Sequence, residues 1–584
     1  MAEISGGEVI VRMLQAEGVQ KVFGIIDGTY FGFYASLGKH GIDLITPRHE
    51  TSAVHMAGAY ARLTGKLGVC MASNGPGVAN ALPGIAVEQA EGNRVLVVTA
   101  CRRPGIAYPD RGGSYQCFDQ SGVIGKMAKW SCVISSFERI PELVRMALRK
   151  SWEGRPGVVH IDVPENIMNT KVKADPAFWA PHQYRRSAAT MPTPELVERA
   201  ADLLIAAEQP LIHAGSGIIH AAAYAELRQV AELLSAPVTT SWSARGVLPE
   251  TSDLSLPMIH VKLNHAARND ADLVLALGTR FGETDWWGKA PYWRHPSQQK
   301  MIQVDADGEM LGMNKPVELA ILGDAKLFLA ALALRLEARK GEIRTEARQK
   351  NIARYSETKR RDREGWDRAL ADLSAPMNPA HVASVCREFF PDDAILVADG
   401  GNTTIWASFY HQMRVPNTLL STFKFGMLGA GVAQALGAAV ACPEREVVCI
   451  IGDGAMGFHP QEIETAVRNK LKVVYLVLCD KAWGMVKINQ SFTLRPIKTL
   501  LQKHLDPDEN IGTELGEIEF DKLAISMGAH GERVSDPKQL KPALERCRAS
   551  GRCAVIHVDV NPVKHMWAPG LVHFKDMHQE PKGR

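Results

Sequence analysis

The sequence predicts an α/β protein with three doubly wound parallel-sheet domains and a C-terminal tail or lid. Two observations support this fold class. Short runs rich in β-branched residues, such as VFGII, RVLVVTA and GVVHIDVP, alternate with helix-like stretches, which is typical of βαβ units on a parallel sheet. The alternation occurs in three separate blocks, and 584 residues suffice for about three or four domains.

The domain boundaries follow from breaks in this alternation. We expect the first domain at residues 1–185, ahead of the Pro- and charge-rich linker DPAFWAPHQYRRSAATMPTP, and the central domain at 193–335. Residues 336–375 form a charged helical connector, because charges of both signs are mixed there as on a solvated helix. The third domain spans 376–562 and repeats the pattern. Residues 563–584 remain as the tail or lid.

Composition argues against two classes of partner. The chain has 67 basic and 64 acidic residues, a net charge of +3, so no charge excess would attract nucleic acid or a membrane surface. The 10 cysteines are scattered without a CxxC pair, which favours reduced core thiols over disulfides or zinc. The N-terminus lacks the apolar block of a signal peptide, and no run of about 18 apolar residues follows. A cytoplasmic enzyme with a small-molecule substrate is therefore expected.

Two acidic residues follow neighbouring predicted strands of the third domain. VVCIIGDG ends in a glycine-bracketed turn that holds Asp453, and the next strand, KVVYLVLCD, ends at Asp480. Ligands of doubly wound sheets bind at the carboxyl ends of strands, where glycine amides and a helix N-terminus attract an anion. Two carboxylates beside such a turn suit a divalent cation that bridges to a diphosphate. The spacing alone equally allows a helix cap at Asp453 and a turn at Asp480.

The whole segment GDGAMGFHPQEIETAVRNKLKVVYLVLCDKAWG resembles the cofactor motif of thiamine diphosphate-dependent enzymes, which begins GDG and ends at Asn-Asn. The resemblance implies thiamine diphosphate and Mg²⁺ as cofactors, with Asp453, Asp480 and the backbone carbonyl of Ala482 as metal ligands. Cys479 and Asp480 stand where the family has two asparagines, and a carboxylate adds negative charge to the site. Cofactor contacts are further implied at Gly452, Gly454, Ala455 and Met456.

The resemblance covers nearly the whole chain and implies a pyrimidine-binding first domain, a central domain and a diphosphate-binding third domain. In PRHETSAVHMAGAYARLTG, Glu50 matches the family's strand-end glutamate, which hydrogen-bonds N1′ of the aminopyrimidine ring. Such a carboxyl favours the imino tautomer, whose nitrogen is the base acting on the thiazolium C2–H. The run NGPG, with Asn74, resembles a loop beside the pyrimidine of the partner subunit. A surface glutamate at a helix start is the structural alternative for Glu50.

Two further runs of the third domain complete the resemblance. FGMLGAGVAQALGAA resembles the stretch that bends the cofactor, with Leu428 as the apolar wedge and Gly426 and Met427 as backbone contacts. ADGGNTT resembles the second diphosphate cradle, with contacts at Gly401, Asn402 and Thr403. Because Glu50 and the metal ligands lie in different domains, the resemblance implies a site between chains, in a homodimer or homotetramer.

The layout most resembles acetolactate synthase, benzaldehyde lyase, 2-hydroxyacyl-CoA lyase and oxalyl-CoA decarboxylase. RFGETDWWG stands where FAD-containing acetolactate synthases carry an RFDDRVTG-like run, which argues against a required FAD. An adenine nucleotide (ADP-like) in the central domain, or no ligand there, remains open. Asp305 and Asp307 in QVDAD are candidates for a ribose contact, and a plain strand-end turn is the equal alternative.

Several residues are candidates for the substrate side of the site. GGSYQCFDQ resembles the oxalyl-CoA decarboxylase run DYEEMDQ more than the AFQE run of acetolactate synthases. A polar donor there would stabilise an oxyanion, so the candidates facing the substrate carbonyl are Tyr115, Gln116 and Gln120. Thr29 and Tyr30 fall where several relatives place a catalytic polar side chain. The acyl pocket is expected to be shaped by Trp483, Met485 and Val486.

The tail beyond Pro562 is longer than an acetolactate synthase needs, and in CoA-using relatives the C-terminus closes over the substrate. Side chains that could contact phosphates or adenine there are Lys564, His565, Trp567, His573 and Lys575. A disordered tail is the competing interpretation, although its aromatic residues favour docking.

These features favour a thiamine diphosphate- and Mg²⁺-dependent lyase or carboligase that cleaves a 2-hydroxyacyl-CoA to a carbonyl compound and formyl-CoA. The alternative enzyme joins or decarboxylates small 2-oxo acids, as acetolactate synthase does. A third hypothesis, from another class, is a non-catalytic regulatory protein that keeps the fold. The intact Glu50, GDG turn and wedge region argue against it.

Overall fold

Three six-stranded parallel sheets follow one another along the chain in the computed structural model, which describes residues 3–571. The predicted fold class is confirmed. The exact domain boundaries stay predictions. None of the helices between residues 3 and 571 is long and apolar enough to cross a lipid bilayer.

The inner strands of the first sheet form from near-continuous apolar runs that are almost entirely buried. Its strands and the adjoining pair are β1 (Glu3–Ser5), β2 (Lys21–Gly24), β3 (Asp43–Ile45), β4 (Gly68–Ala72), β5 (Val95–Cys101), β6 (Trp130–Val133), β7 (Val158–Pro164) and β8 (Lys171–Lys173). The helices are α1 (Gly6–Ala16), α2 (Phe31–Leu37), α3 (Glu50–Thr64), α4 (Pro76–Glu91), α5 (Pro104–Ala107), α6 (Gln120–Met127), α7 (Ile140–Trp152) and α8 (Glu165–Asn169). The strand order is β3-β2-β4-β5-β7-β6, while β1 and β8 form a separate antiparallel pair.

The second sheet has the order β11-β10-β9-β12-β13-β14. Its strands are β9 (Pro210–Ala214), β10 (Val238–Thr240), β11 (Ser255–Leu256), β12 (Leu273–Leu277), β13 (Lys300–Asp305) and β14 (Leu319–Leu322). The helices around it are α9 (Pro194–Ala206), α10 (Gly217–His220), α11 (Tyr224–Leu234), α12 (Val261–Asp270) and α13 (Ala325–Ala338). The charged stretch after it contains the long helix α14 (Glu346–Asp367), whose side chains are mostly exposed or half-buried.

The third sheet has the order β16-β15-β17-β18-β20-β19. Its strands are β15 (Ile395–Asp399), β16 (Leu419–Leu420), β17 (Val447–Gly452), β18 (Val473–Cys479), β19 (His530–Val534) and β20 (Ala554–Asp559). The helices are α15 (Ala380–Phe389), α16 (Gly401–Tyr410), α17 (Ala430–Ala441), α18 (Asp453–Met456), α19 (Glu462–Arg468), α20 (Gly484–Leu494), α21 (Pro496–Gln502), α22 (Phe520–Ser526), α23 (Pro537–Ser550) and α24 (Pro562–Met566).

The first and third sheets share one topology, and the second differs. Counted within its own sheet, each of the outer two has the order 2-1-3-4-6-5, whereas the middle one has 3-2-1-4-5-6. In both orders the chain starts in the middle and changes direction beside its first strand. Ligands of doubly wound sheets bind at this switch point, beyond the strand ends. The three switch points lie between β2 and β4, β9 and β12, and β15 and β17.

Helices α3 and α17 join the first and third sheets through a shared apolar core. Their backbones approach closely because a Cβ at Gly437 would lie 2.5 Å from the carbonyl oxygen of Met56. The loop that precedes α3 is also bound to the third domain. The Arg48 N–H donates to the Glu462 carboxylate at 3.1 Å, and the Arg468 guanidinium donates to the Thr46 carbonyl at 2.7 Å. The N-terminus of α3 is therefore held by both domains.

Candidate active site

The carboxylate predicted from the GDG turn lies directly beyond β17. Asp453 begins α18, and its Oδ1 accepts the Gly454 N–H at 2.7 Å. Its Oδ2 accepts the Lys481 N–H at 2.8 Å, which ties the turn to the end of the neighbouring strand. Burial, followed by the negative charge of Asp480, raises the pKa of Asp453 to about 6. The two carboxylates are therefore close enough to repel each other, as expected where a cation would fit.

Asp480 follows β18 and contacts a histidine from the far end of the chain. Its Oδ1 accepts the Ala482 N–H at 3.2 Å, and its Oδ2 lies 2.6 Å from Nδ1 of His565. Nε2 of the same ring lies 3.1 Å from Oγ1 of Thr403. His565 is buried, and its carbonyl oxygen accepts the Trp406 indole N–H at 2.8 Å. The sequence placed His565 in a substrate-binding tail, whereas the structure places it between two predicted cofactor-binding positions.

A second glycine turn, at residues 400–402, faces the turn at 452–454 across the switch point between β15 and β17. Gly400 has a φ of +94°, which a residue with a side chain rarely adopts. A Cβ at Gly452 would lie 3.0 Å from Thr403 Oγ1, and a Cβ at Gly484 would lie 2.8 Å from Asn402 Nδ2. Small residues are therefore needed where these turns meet.

Asn402 lies in this turn with its amide unsatisfied. The residue is 3% exposed, and neither its Oδ1 nor its Nδ2 has a hydrogen-bond partner among the described residues. A buried amide without partners costs free energy, so it is expected to bind a group that the polypeptide does not supply. With Asp453, Asp480 and the glycine amides, the donor set fits a diphosphate bridged by a hard divalent cation.

The predicted wedge segment lies at the N-terminus of α17. Gly426 has a φ of +71° and Gly429 a φ of +85°, so this loop depends on left-handed conformations. The Thr422 hydroxyl donates to the Met427 carbonyl at 3.1 Å, which leaves the half-buried Leu428 packed against the shared core. Asp399, not singled out from the sequence, accepts the Gly400 N–H at 2.6 Å and the Gly431 N–H at 2.8 Å. It thereby joins the glycine turn to α17.

Glu50 begins α3, where His49 is the N-cap. Its Oε2 accepts the Asn80 side-chain amide at 3.0 Å, and the residue is half-buried. This bonded partner belongs to the first domain, so within one chain the structure does not join Glu50 to the metal-ligand candidates. Asn74 is buried nearby, and its Nδ2 donates to the Gln116 carbonyl at 2.9 Å while its Oδ1 has no described partner.

Comparison with known families identifies this arrangement. Models of thiamine pyrophosphate enzymes match the chain in three places: the N-terminal TPP binding domain over residues 4–123, the central domain over 197–332, and the C-terminal TPP binding domain over 399–558. The chain belongs to the thiamine pyrophosphate enzyme family. The family resemblance and the assignment as a thiamine diphosphate-dependent enzyme are thus confirmed.

Relatives of known name extend along almost the whole chain. A "Probable acetolactate synthase large subunit" of Methanococcus aeolicus is 28% identical over 93% of this chain and 90% of its own length. The "Acetolactate synthase isozyme 3 large subunit" of Escherichia coli is 28% identical over 97% and 96%. The "Acetolactate synthase large subunit" of Haemophilus influenzae is 29% identical over 96% and 95%. These names favour the alternative reaction over the 2-hydroxyacyl-CoA lyase that the sequence features suggested first.

The predicted substrate residues of the thiamine pyrophosphate enzyme fall into two groups. Tyr115 is 74% exposed and Val486 is 50% exposed, so both are available at the surface of one chain. Gln116, half-buried, has a φ of +52° and lies on the same loop as Tyr115. Gln120 is 2% exposed, and its amide is bonded within the protein at both ends. The structure thus separates the two glutamines that the sequence could not.

The Thr29–Tyr30 pair is turned toward the protein. The Thr29 hydroxyl donates to Asp27 Oδ1 at 2.6 Å. Tyr30 is 1% exposed, and its hydroxyl donates to the Ile25 carbonyl. Burial raises the pKa of Tyr30 far above its ordinary value. Tyr30 therefore packs in the core of the first domain, and its place in a substrate pocket stays a prediction.

The residues after the metal-ligand candidates cover the glycine turns. A Cβ at Gly454 would lie 2.7 Å from the Trp483 ring, and a Cβ at Gly401 would lie 2.8 Å from Met485 Cβ. Trp483 also meets Phe458 edge-on at 6.3 Å and lines a mainly apolar pocket of about 430 Å³ beside Asp453. Trp483 and Met485 thus cover the glycine turns from the side of α20.

The C-terminal candidates have partners of their own. Lys564 Nζ lies 2.5 Å from Asp372 Oδ2 and 2.9 Å from Ser374 Oγ. The Trp567 indole N–H donates to the Lys503 carbonyl at 2.5 Å, and its ring meets Phe492 at 5.6 Å. His573 and Lys575 lie outside the described residues.

The family's central domain carries a separate cavity of about 750 Å³ at the switch point between β9 and β12. Glycine turns at 215–217 and 278–279 form its floor. Its cations come from all three domains and are Arg94, Arg155, Arg186, Arg280 and Lys424. Asp305 also lines it, with a pKa raised to about 6 by burial. Asp307 instead accepts the Arg155 N–H at 3.3 Å beside this cavity.

Proposed function

We propose that this enzyme binds thiamine diphosphate through Mg²⁺ and joins or decarboxylates small 2-oxo acids, as an acetolactate synthase-like carboligase. The unsatisfied, buried amide of Asn402 between two glycine turns carries the cofactor part of this proposal. The names of relatives that align over more than nine-tenths of the chain support the reaction. A non-catalytic protein would have no need to keep this strained, unsatisfied turn.

The residues of the third domain would hold the diphosphate and the metal. Asp453, Asp480 and the Ala482 carbonyl are the proposed Mg²⁺ ligands, since carboxylate and carbonyl oxygens suit this cation. The diphosphate would accept hydrogen bonds from backbone and side-chain donors at Gly401, Asn402, Thr403, Gly452, Gly454, Ala455 and Met456. His565 would fix the Asp480 carboxylate through its 2.6 Å contact. When bound, the cofactor supplies an electron sink for a carbanion next to a carbonyl.

Residues of the first domain would activate the cofactor from a second copy of the chain. Glu50 is placed to hold a proton at N1′ of the aminopyrimidine, and Asn80 orients its carboxylate at 3.0 Å. Gly426, Met427 and Leu428 would support the bent coenzyme. We therefore propose a homodimer or homotetramer in which Glu50 and the metal ligands of one site come from different chains. Asn74, Gln116, Tyr115 and Thr29 are proposed to stand near the reacting groups.

The central cavity is proposed to take the adenine nucleotide left open by the sequence. Its cations would bind phosphates, and Asp305 is the carboxylate available for a ribose hydroxyl. The departure of RFGETDWWG from the flavin-associated run argues against FAD. Trp286, within that run, is buried against Tyr292 at 4.3 Å and so packs the domain.

The reaction is tested with pure protein, thiamine diphosphate and Mg²⁺. Pyruvate, oxalyl-CoA and 2-hydroxyisobutyryl-CoA would be incubated separately and the products identified by mass spectrometry. We expect acetolactate from the incubation with pyruvate and no product from either CoA ester. Formyl-CoA from a CoA ester, without acetolactate from pyruvate, would overturn the proposal in favour of the lyase. No thermal stabilisation by cofactor and metal would count against any thiamine diphosphate role.

A further inference from the structure

Gln120, the first residue of α6, connects two loops of the first domain. Its side chain is 2% exposed. Its Oε1 accepts the Gly75 N–H at 2.7 Å. Its Nε2 donates to the Ala100 carbonyl at 3.0 Å and to the Asp162 carboxylate at 3.1 Å and 3.2 Å. Both ends of the Gln120 amide are thus hydrogen-bonded within the protein. The oxygen end must accept and the nitrogen end must donate.

Asp162 holds the donor end of this amide from β7. It is 2% exposed and also accepts the Thr99 hydroxyl at 2.7 Å. Thr99 in turn lies 2.7 Å from Nε2 of His160, whose Nδ1 lies 2.8 Å from Ser131 Oγ. Burial lowers the pKa of His160 to about 3, so the ring is neutral at physiological pH. The side chains that bond to the Asp162 carboxylate, Thr99 and Gln120, are neutral donors. The carboxylate is the acceptor in these hydrogen bonds.

The acceptor end of the amide holds a strained loop. Gly75 has a φ of +64°, and a Cβ there would lie 2.7 Å from the Gln116 Cα. Asn74 donates to the Gln116 carbonyl at 2.9 Å. The NGPG loop and the loop bearing Gln116 therefore lie against each other, with the Gln120 hydrogen bond at their junction.

The same loop leads to Glu50. Pro76 begins α4, and Asn80 on its first turns donates to Glu50 Oε2 at 3.0 Å. Thr51, beside Glu50, donates its hydroxyl to the Asn80 carbonyl. A Cβ at Gly77 would lie 3.4 Å from Glu50 Oε1. A continuous series of contacts thus runs from Asp162 through Gln120, the NGPG loop and α4 to Glu50.

We propose that Gln120, held by Asp162, is a positioning residue that fixes the NGPG loop and, through α4, the Glu50 carboxylate. It does this without contacting the substrate. A neutral amide satisfies both neighbours at every pH, because Gly75 requires an acceptor and Asp162 requires a donor. The effect of Gln120 on Glu50 is measured by turnover and therefore rests on the proposed function. The claim that Gln120 holds the NGPG loop does not depend on that function.

The first test measures hydrogen exchange in the cofactor-free protein. In Gln120→Leu the Gly75 amide loses its acceptor, so exchange in the segment 73–77 should rise about tenfold or more. Gln299→Leu is the matched control, because Gln299 is also a buried glutamine, 3% exposed, bonded to backbone carbonyls at 2.7 Å and 2.9 Å. This control should leave exchange at 73–77 and turnover unchanged. Unchanged exchange in Gln120→Leu would overturn the proposal.

The second test uses the pH profile of turnover in Gln120→Glu. A glutamate keeps the acceptor for Gly75 but can donate to Asp162 only when protonated, and burial already raises the pKa of Asp162 to about 6. Activity relative to wild type should therefore fall as pH rises from about 6 to 8. The other titratable groups facing Asp162 are Cys101, Asp119, Cys132 and His160. None of these changes in the variant.

The two tests separate the inference from the proposed function. Suppose that Gln120→Glu loses activity equally at every pH and that hydrogen exchange at 73–77 is unchanged in Gln120→Leu. Gln120 would then act on the substrate, and the positioning role would be overturned. If the wild type neither binds thiamine diphosphate nor turns over pyruvate, the proposed function fails. The exchange result would still decide whether Gln120 holds the loop.

Discussion

The second and third sheets offer the same kind of crevice, lined by different charged groups. Each has a glycine turn after its first strand, at residues 215–217 in one and 400–402 in the other. Beyond the third sheet, Asp453 and Asp480 face this turn. Beyond the second, cations that include Arg155, Arg280 and Lys424 do so, and carboxylates that include Asp305 lie among them. The doubly wound fold supplies the crevice, and the side chains beyond the strand ends decide what binds there.

The titration behaviour of each crevice reflects this difference. In the third sheet, burial and Asp480 raise the pKa of Asp453 to about 6, so a cation is favoured there. In the central cavity, burial lowers the pKa of Lys424 to about 7 against the opposing effect of Glu91. Burial thus disfavours the charged form of an acid in one crevice and of an amine in the other.

The acidic crevice gives the largest expected effect. Asp453→Ala should abolish stabilisation by Mg²⁺ and thiamine diphosphate and lower turnover by about a thousandfold or more, because the metal loses a charged ligand. Thermal unfolding with and without cofactor, together with an assay of pyruvate consumption, measures both. Glu346→Ala, at a side chain that is 88% exposed on α14, is the control. If cofactor and Mg²⁺ raise the unfolding temperature of Asp453→Ala as much as that of the wild type, the acidic crevice is not the cofactor site.

Glu50→Gln should have the next largest effect. We expect turnover to fall about 10²- to 10⁴-fold, since the carboxyl acts by proton transfer. Folding and the thermal response to cofactor should persist, because Glu50 is not a metal ligand in this account. Kinetics and thermal unfolding of the same sample separate the two properties. A near-normal rate would refute the role of Glu50.

His565→Leu should weaken Mg²⁺ binding by about 10- to 100-fold, since it removes the contact that orients Asp480. The concentration of Mg²⁺ needed for half-maximal cofactor binding is the quantity to measure. Lys564→Ala is the matched control on the same helix, because Lys564 pairs with Asp372 away from the metal site. If the two variants require equal Mg²⁺ concentrations, His565 does not orient Asp480 for the metal and contributes only to packing.

The central cavity gives a smaller expected effect. Lys424→Ala should weaken ADP binding by about tenfold, since one phosphate partner is lost. Burial lowers the pKa of Lys424 to about 7, so its charge is lost as pH rises through 7. Wild-type affinity should therefore fall between about pH 6 and 8, and the variant should show a weaker slope, because Glu91 beside Lys424 also has a pKa raised by burial. Calorimetric titration measures it, with Arg335→Ala on the exposed side of α13 as control.

The smallest effect concerns acid stability at the far end of the helix that begins at Gly401. His411 is 1% exposed without a described ring partner, and burial lowers its pKa to about 3. The unfolded chain takes up a proton below about 6.5, which the folded chain does not, so stability is present above that pH and falls below it. At pH 5 this costs about 2 kcal/mol. His411→Leu should reduce the loss of unfolding free energy between pH 7.5 and 5 by this amount. An unchanged loss would place the acid sensitivity elsewhere.

The sequence was sufficient for the features that depend on local pattern. Apolar runs and glycine turns predicted the parallel sheets, and the strand ends at Asp453 and Asp480 followed from them. Features that depend on contacts between distant segments were not accessible. His565 reaches Asp480 from 85 residues away, and nothing in its neighbours signals that contact. Likewise, the sequence could not distinguish Gln116 from Gln120, because burial of one arises from the packing of α6 against β7.

The most direct test of the central claim is a hybrid oligomer of two inactive variants. Glu50→Gln and Asp453→Ala chains would carry different tags, and hybrids would be isolated by tandem purification. If each site combines Glu50 of one chain with Asp453 of another, a hybrid dimer keeps one intact site and should show about half of the wild-type turnover. Turnover no higher than that of either parent would contradict the account, because it would confine both residues of a site to a single chain.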